Sequence, residues 1–316
     1  MGDGARLRSL FFGTPEFAVP CLEALHEISE IAAVVCQPDR PAGRGNVIHA
    51  PPVKERALAL GLEVVQPTKL KDGTFAAWAR EQNVDVGLVV AYGRILPKAV
   101  LDAPRRGCVN VHASLLPKLR GAAPITWAVV RGEKETGVTL MQMDEGMDTG
   151  PVLERLATPI LDHETAGELG ERLSALGALA TRKGVTRWVA GDYLPEAQDG
   201  ALATLAPILT KEDGRVDFSK SARAVHDHVR GMSPWPGAFT LRAGKKVKIL
   251  ATTILAGSGS SAVPGTVVLC DKSRLGVACG EGAVLLETIQ LEGKNPVSGA
   301  DWFRGRGVAE GDLIGA

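Results

Sequence analysis

The sequence predicts an α/β protein built on an open, mainly parallel sheet and completed by a small β-barrel at its carboxyl end. Three observations carry that expectation. Strand and helix patterns alternate through the first half. Short strands separated by turn signals dominate the last third. The 316 residues leave room for two domains, at about 100–200 residues each. An apolar fraction of 45% suffices for packed cores and argues against wholesale disorder.

In chain order, Leu7–Phe12, Ala32–Cys36, Leu62–Gln66, Val86–Ala91 and Gly107–His112 read as strands, each short, apolar and ended by turn residues. Ala18–Ile28, Val53–Leu60, Thr74–Gln82 and, behind Pro124, Ile125–Arg131 read as helices. Alternation of this kind needs right-handed crossovers, hence parallel pairing. Leu169–Ala190 is a longer amphipathic helix with Leu169, Leu173, Leu176 and Leu179 near one face. Residues 192–207 carry two prolines and no sustained period, so they read as a linker between a domain at 1–191 and another at 208–316. In the latter, a helix near Ser219–Arg230 precedes strands at Ala238–Arg242, Val247–Leu255, Gly265–Cys270, Gly276–Cys279 and Ala283–Glu287. Turns at Ala243–Gly244, Gly257–Ser261 and Gly280–Gly282 separate them, a spacing that suits a small barrel.

Charge is balanced, 36 basic against 36 acidic side chains, which excludes a polybasic protein wrapping nucleic acid through bulk charge. It is also partitioned: residues 208–316 are net positive, and Lys211–Lys248 holds nine basic against four acidic side chains. That run is either an ordinary solvated face or a surface for phosphates. Five cysteines without a CxxC pair read as reduced core thiols, with neither a disulfide frame nor a zinc site. No apolar run approaches the length of about 18 residues that a transmembrane helix needs. A soluble, cytoplasmic protein without membrane association is expected.

The densest chemistry lies in Cys108–Ile125, CVNVHASLLPKLRGAAPI. Asn110 and His112 are two apart on a strand, so both project from one face near its carboxyl end, where open α/β sheets bind ligands. An amide and a protonated imidazole there offer two donors to one oxyanion; the bland reading is a strand end making local turn bonds. Asp144, Glu145 and Asp148 follow in a Gly-punctuated loop. A carboxylate brought to His112 would favour the charged ring or accept a proton, although position alone does not choose among these acids or exclude a merely solvated turn. Arg40 and Arg44 sit in a Pro/Gly-rich stretch, Gln37–Gly45, that argues against a regular element. Trp235, between Pro234 and Pro236, reads as a structural wedge, with stacking on a nucleotide as the alternative.

Taken together, Asn110-x-His112, Ser114-Leu115-Leu116-Pro117, Arg120-Gly121 with Ala122-Ala123-Pro124-Ile125, and Asp148-Thr149-Gly150 resemble the signature of the 10-formyltetrahydrofolate-dependent formyltransferases. Phe12–Phe17, Gln37–Gly45, Val90–Pro97, Glu135–Thr139, Thr210–Asp213 and Ser233–Pro236 narrow the resemblance to members that act on initiator methionyl-tRNA, in collinear order over essentially the whole chain. Leu119 departs from the pattern, in which an aromatic residue commonly precedes the Arg-Gly pair.

The resemblance implies a Rossmann-like first domain and an OB-like barrel that binds tRNA. It assigns catalysis to Asn110, His112 and Asp148, and the formyl donor, 10-formyltetrahydrofolate, to Ser114, Leu115, Leu116 and Pro117. It places tRNA on Arg40, Arg44 and the basic barrel face, Lys211, Lys245, Lys246 and Lys248. No metal is required, and a monomer is expected. Lys118 and Arg120 would remain available as charges. A formyltransferase for a small amine would share the triad but needs neither the arginine loop nor a second basic domain. A catalytically silent tRNA-binding protein would not need the triad, and a dehydrogenase is disfavoured because Phe12-Gly13-Thr14-Pro15 lacks GxGxxG.

Overall fold

The computed structural model describes residues 6–42, 47–256, 262–271 and 273–315. The chain divides into two compact units. Met1–Pro124, Glu135–Pro159 and Gly170–Ala206 form the first; Ile125–Lys134, Ile160–Leu169 and Pro207–Ala316 form the second. Two excursions from the earlier part of the chain thus belong with the later one.

Seven strands make the sheet of the first unit: β1 (Arg8–Gly13), β2 (Glu30–Val35), β3 (Val64–Val65), β4 (Val86–Val90), β5 (Cys108–His112), β6 (Glu135–Gln142) and β7 (Val152–Pro159). Their spatial order is β7-β6-β5-β4-β1-β2-β3. The five sequence-predicted strands, β1 to β5, pair in parallel. Helices α1 (Val19–Ile28), α2 (Pro52–Ala59), α3 (Thr74–Glu81) and the single turn α4 (Lys98–Leu101) lie between them, as parallel pairing requires. The antiparallel strands β6 and β7 extend the sheet beyond β5. The sequence reading leaves both as motif and loop, because Gly137 and the polar residues of ETGVTLMQ break any clean apolar pattern.

Strands β4 and β5 are buried along their whole length, which is what central strands covered on both faces must be. Leu10, Phe12, Val35, Phe75, Val89 and Tyr92 share one core. There Phe12 meets Tyr92 edge-on, with ring centroids 5.8 Å apart. The carboxyl ends of β1, β2, β4 and β5 consequently lie along one edge, held rigidly from beneath.

The second unit carries α5 (Pro124–Val130) from the first excursion, and the 25-residue α6 (Ala166–Ala190) starts within the second. Its remaining elements are α7 (Ala222–Gly231), β8 (Phe239–Arg242), β9 (Lys245–Leu255), β10 (Val267–Cys270), β11 (Leu275–Ala278), β12 (Ala283–Leu291), β13 (Val297–Ser298) and α8 (Gly299–Arg304). All five expected strands of this half are present. They form an antiparallel half-barrel in the order β8-β9-β12-β11-β10, with β13 on β12. Ala243 and Gly244, both at positive φ, make the tight turn between β8 and β9. The expected turn at Gly257–Ser261 lies outside the described residues.

All five cysteines are free, four of them buried. Burial pushes the Cys21 and Cys108 thiols up to about 12, so neither is a nucleophile at neutral pH. Among the described residues no helix is long and apolar enough to cross a membrane.

His228, on α7, is largely enclosed, and its Nε2 has no hydrogen-bond partner among the described residues. Desolvation holds the imidazole below its ordinary value of 6.5, offset only in part by a Gly214 backbone bond and by Asp213 and Asp217. The unfolded chain therefore takes up this proton first as pH falls. Stability from the neutral ring is complete above 6.5 and is lost as pH drops from there through the lower folded value. Thermal melts of His228→Gln should consequently show a smaller fall in Tm between about pH 6.5 and pH 5 than the unchanged protein. Equal slopes for the two proteins would assign the acid sensitivity elsewhere.

Candidate active site

At the end of β5, Asn110 and His112 point to the same side, two residues apart, and are 8% and 6% exposed. The next residues turn sharply. Ser114 Oγ donates to Lys118 O at 2.6 Å, closing a compact loop over Leu115–Pro117. Thr139 on β6 shapes it from below: its hydroxyl donates to Ser114 O at 2.6 Å and accepts from the Leu116 N–H at 3.1 Å. Gly137 makes room beside it, since a Cβ there would sit 2.6 Å from Leu115 Cδ2 and 2.1 Å from Leu156 O. Of the four residues assigned to the formyl donor, Ser114 and Leu116 are buried, while Leu115 and Pro117 are partly exposed.

Leu119 stands in the left-handed region, φ 60°, and presents its carbonyl to His112, whose Nε2–H donates to it at 3.0 Å. A carbonyl only accepts, so Nε2 must carry a proton. The other ring nitrogen, Nδ1, is left for chemistry. The departure at Leu119 is therefore absorbed by the backbone, because the atom that touches the histidine belongs to the main chain.

Facing Nδ1, at 3.7 Å, is Asp148 Oδ2. This separation is too long for a direct hydrogen bond. Asp148 also adopts positive φ, 54°, which a short polar side chain tolerates. Its Oδ2 accepts from the Gly121 N–H at 2.8 Å. Gly121 is itself an obligatory glycine: φ is 121°, and a Cβ would lie 2.6 Å from Ala206 O. Of the three acids in this loop, the structure brings only Asp148 to the histidine. Asp144 instead bonds within the loop, to the Gly146 N–H and the Thr149 hydroxyl, and Glu145 is exposed.

Sequence reasoning missed the brace behind Asp148. Gln198 donates through Nε2 to Asp148 O at 2.9 Å and to Gly150 O at 2.7 Å. Its Oε1 accepts from Arg120 Nε and Nη2 at 3.1 and 2.8 Å. Arg120 thereby helps hold the loop, while its charge is not neutralised by the neutral Gln198 amide. Thr204 adds two bonds, its hydroxyl accepting from the Leu119 N–H and its carbonyl from the Arg120 N–H. Both Gln198 and Thr204 come from 192–207, where the lack of periodicity suggests only a linker. Residues 205–206 even pair with 120–121.

The Gln37–Gly45 stretch departs from its expectation of irregular structure. Arg40–Ala42 pairs antiparallel with Val47–His49, and its proline is admissible because a two-stranded ribbon leaves each strand an unpaired edge. Arg40 is exposed; Arg44 lies outside the described residues. In the second unit, Lys211, Lys245, Lys246 and Lys248 are all exposed, with Val247 and Ile249 buried between the β9 lysines. Lys246 Nζ lies 3.5 Å from the Phe239 ring centroid. Trp235 is 54% exposed.

Two family profiles match the chain: "Formyl transferase" over residues 6–181 and "Formyl transferase, C-terminal domain" over residues 208–307. A methionyl-tRNA formyltransferase of Sorangium cellulosum is 54% identical over 98% of this chain and 100% of its own. One of Myxococcus xanthus is 48% identical over 97% of each. Among solved structures, the sugar 3N-formyl transferase WlaRD superposes with TM-score 0.68 at 17% identity, covering 92% of this chain and 100% of that one. An N-formyltransferase from Helicobacter canadensis gives 0.67 at 17% identity, covering 90% and 99%. These two establish the likeness of fold.

Proposed function

The chain belongs to the formyl transferase family, among relatives that are methionyl-tRNA formyltransferases, and from this we propose that it transfers the formyl group of 10-formyltetrahydrofolate to the α-amine of methionyl-initiator tRNA, for translation initiation. It acts as a cytoplasmic monomer without a metal. The observation that carries the reading is the arrangement at the end of β5: a buried imidazole with one nitrogen tied to a carbonyl, its other nitrogen facing a carboxylate, and an amide on the same strand face.

Formyl transfer needs a neutral amine, a stabilised tetrahedral oxyanion and a proton for the departing nitrogen. The amine adds to the formyl carbon, forming a C–N bond, and the bond to N10 of the folate breaks. The Asn110 side chain makes no hydrogen bond among the described residues, so its amide N–H is free for the oxyanion. Protonated His112 supplies the second donor from Nδ1, because Nε2 is committed to Leu119 O. Asp148 Oδ2 is partly engaged by Gly121, which leaves Oδ1 to accept the amine proton directly or through water and to return that proton to N10 as its bond to the formyl carbon breaks. Leu115 and Pro117 offer the partly exposed apolar surface for the folate, with Ser114 and Leu116 fixing the turn from inside.

Arg40 and Arg44 hold the acceptor end, and the lysines of the second unit, Lys211, Lys245, Lys246 and Lys248, meet phosphates. A small-amine acceptor would leave this second set without a task. The test is formylation of initiator and elongator methionyl-tRNA by purified protein with the folate donor. Initiator tRNA should be the preferred acceptor. With four lysines on phosphates, tRNA affinity should fall with salt at a logarithmic slope of about −3. A flat salt response, or equal use of a free amino sugar, would overturn the assignment of acceptor.

A further inference from the structure

At the carboxyl ends of β2 and β3, a polar cluster of the first unit serves neither the core nor the Asn110–His112–Asp148 group. Lys54 on α2 donates through Nζ to both oxygens of Asp39, at 2.9 and 2.7 Å, and to Gln66 Oε1 at 2.9 Å. Gln66 Nε2 in turn donates to Asp39 Oδ1 at 2.7 Å and to Gln37 O at 2.8 Å. The Lys54 ammonium, and after it the Gln66 amide, hold the Asp39 carboxyl below the usual carboxylate range. The pair is partly sheltered, with side chains 22% and 31% exposed.

Arg40 follows Asp39 in the chain, yet its guanidinium turns away from that carboxylate to the side-chain oxygen of Gln37. Gln37 is neutral, and its amide is fixed by donating to Tyr92 O at 2.9 Å. Arg40 makes no ion pair among the described residues. Its charge is oriented without being neutralised. Asp39, immediately before the ribbon, would otherwise be the opposite charge next to Arg40 in the chain, and guanidinium binds carboxylate as it binds phosphate, through paired hydrogen bonds.

We propose that Lys54 is a positioning residue for acceptor recognition: by engaging Asp39 it keeps that carboxylate off Arg40 and leaves Arg40 cationic for an RNA phosphate. The inference rests on methionyl-tRNA being the acceptor. It makes Asp39 a latent competitor that removal of Lys54 would release. Loss of Lys54 should therefore weaken tRNA use, and additional loss of the Asp39 charge should restore it. A purely structural staple would instead show its loss in Tm and in the KM for both substrates, and not in the tRNA KM alone.

Steady-state formylation is compared in the unchanged protein, Lys54→Met, Asp39→Asn and the double variant, with folding monitored by Tm. Lys54→Met should raise KM for methionyl-tRNA about tenfold, the value of one charge-assisted contact, with kcat and the KM for the folate donor unmoved. The double variant should return to within about threefold of the unchanged protein. Lys54→Gln keeps a hydrogen bond to Asp39 without the charge and should follow Lys54→Met, which covers the case where methionine impairs folding. An unmoved tRNA KM in both Lys54 variants, or a double variant no better than the single, overturns the proposal. Failure of the unchanged protein to formylate methionyl-tRNA overturns the underlying reading and the proposal with it.

Discussion

Alanine at His112 is expected to lower kcat for formyl transfer by about 10²–10³, the loss that follows removal of one preorganised oxyanion donor. The magnitude follows from how little else can replace the ring. Nε2 is held by Leu119 O, a carbonyl presented by a left-handed residue, so the imidazole cannot swing aside. That tether aims Nδ1 at the space before Asp148, where the 3.7 Å gap leaves a reacting group within reach of both. Water entering the vacated volume would donate with poorer geometry and must reorganise as charge develops. Since the interaction is strongest in the transition state, kcat should carry the loss while KM for the folate changes little.

Asn110→Ala should fall in the same range, and the double variant should lose less than the product of the two, because both donors serve one oxygen. Single-turnover formylation with the folate donor is the measurement. A His112→Ala enzyme within about fivefold of the unchanged rate would remove the ring from oxyanion stabilisation.

How much of this was legible in the sequence depends on where each contribution resides. The parallel strands declared themselves because they are buried on both faces and therefore largely apolar, as VGLVV is throughout and CVNVH is apart from Asn110 and His112. Asn110 and His112 were visible through the two-residue period, which depends only on strand geometry. Selection of Asp148 over Asp144 was not, because it turns on a positive φ and on a Gly121 N–H contributed from 27 residues away. Gln198 and Thr204 left no trace, since they act through four and two hydrogen bonds from irregular chain, which no sequence period marks. The two antiparallel strands were obscured by Gly137 and by polar residues facing the turn at Ser114–Pro117. The attachment of residues 160–169 to α7 was hidden for a different reason: part of it runs through the carbonyls of Leu161 and Glu164, a group that every sequence has.

Those carbonyls set the second large effect, on stability. Asp227, on α7, is 2% exposed and Arg230, one turn on, is 5% exposed. Arg230 Nε donates to Asp227 Oδ1 at 2.7 Å, while Nη1 donates to Leu161 O at 3.0 Å and Glu164 O at 2.9 Å. The second oxygen of Asp227 accepts from Arg223 Nε at 2.9 Å, and Arg223 continues to Asp162 Oδ1 at 2.7 Å. One guanidinium thus stitches residues 160–169 to α7 through two neutral acceptors, with Asp227 its one ion pair among the described residues.

Asp227→Ala leaves a buried cation without its ion-paired carboxylate, and should destabilise the full chain by about 3–5 kcal/mol in urea unfolding. Asp227→Asn retains an acceptor but no charge, and should fall between. Arg230→Met combined with Asp227→Leu removes both charges and should be less destabilised than Asp227→Ala, because desolvation of the lone cation is the dominant penalty. The carbonyls of Leu161 and Glu164 then lose their donor, which keeps the double variant below the unchanged protein. A loss under about 1 kcal/mol for Asp227→Ala would mean that water reaches Arg230 and that the pair behaves as an exposed one.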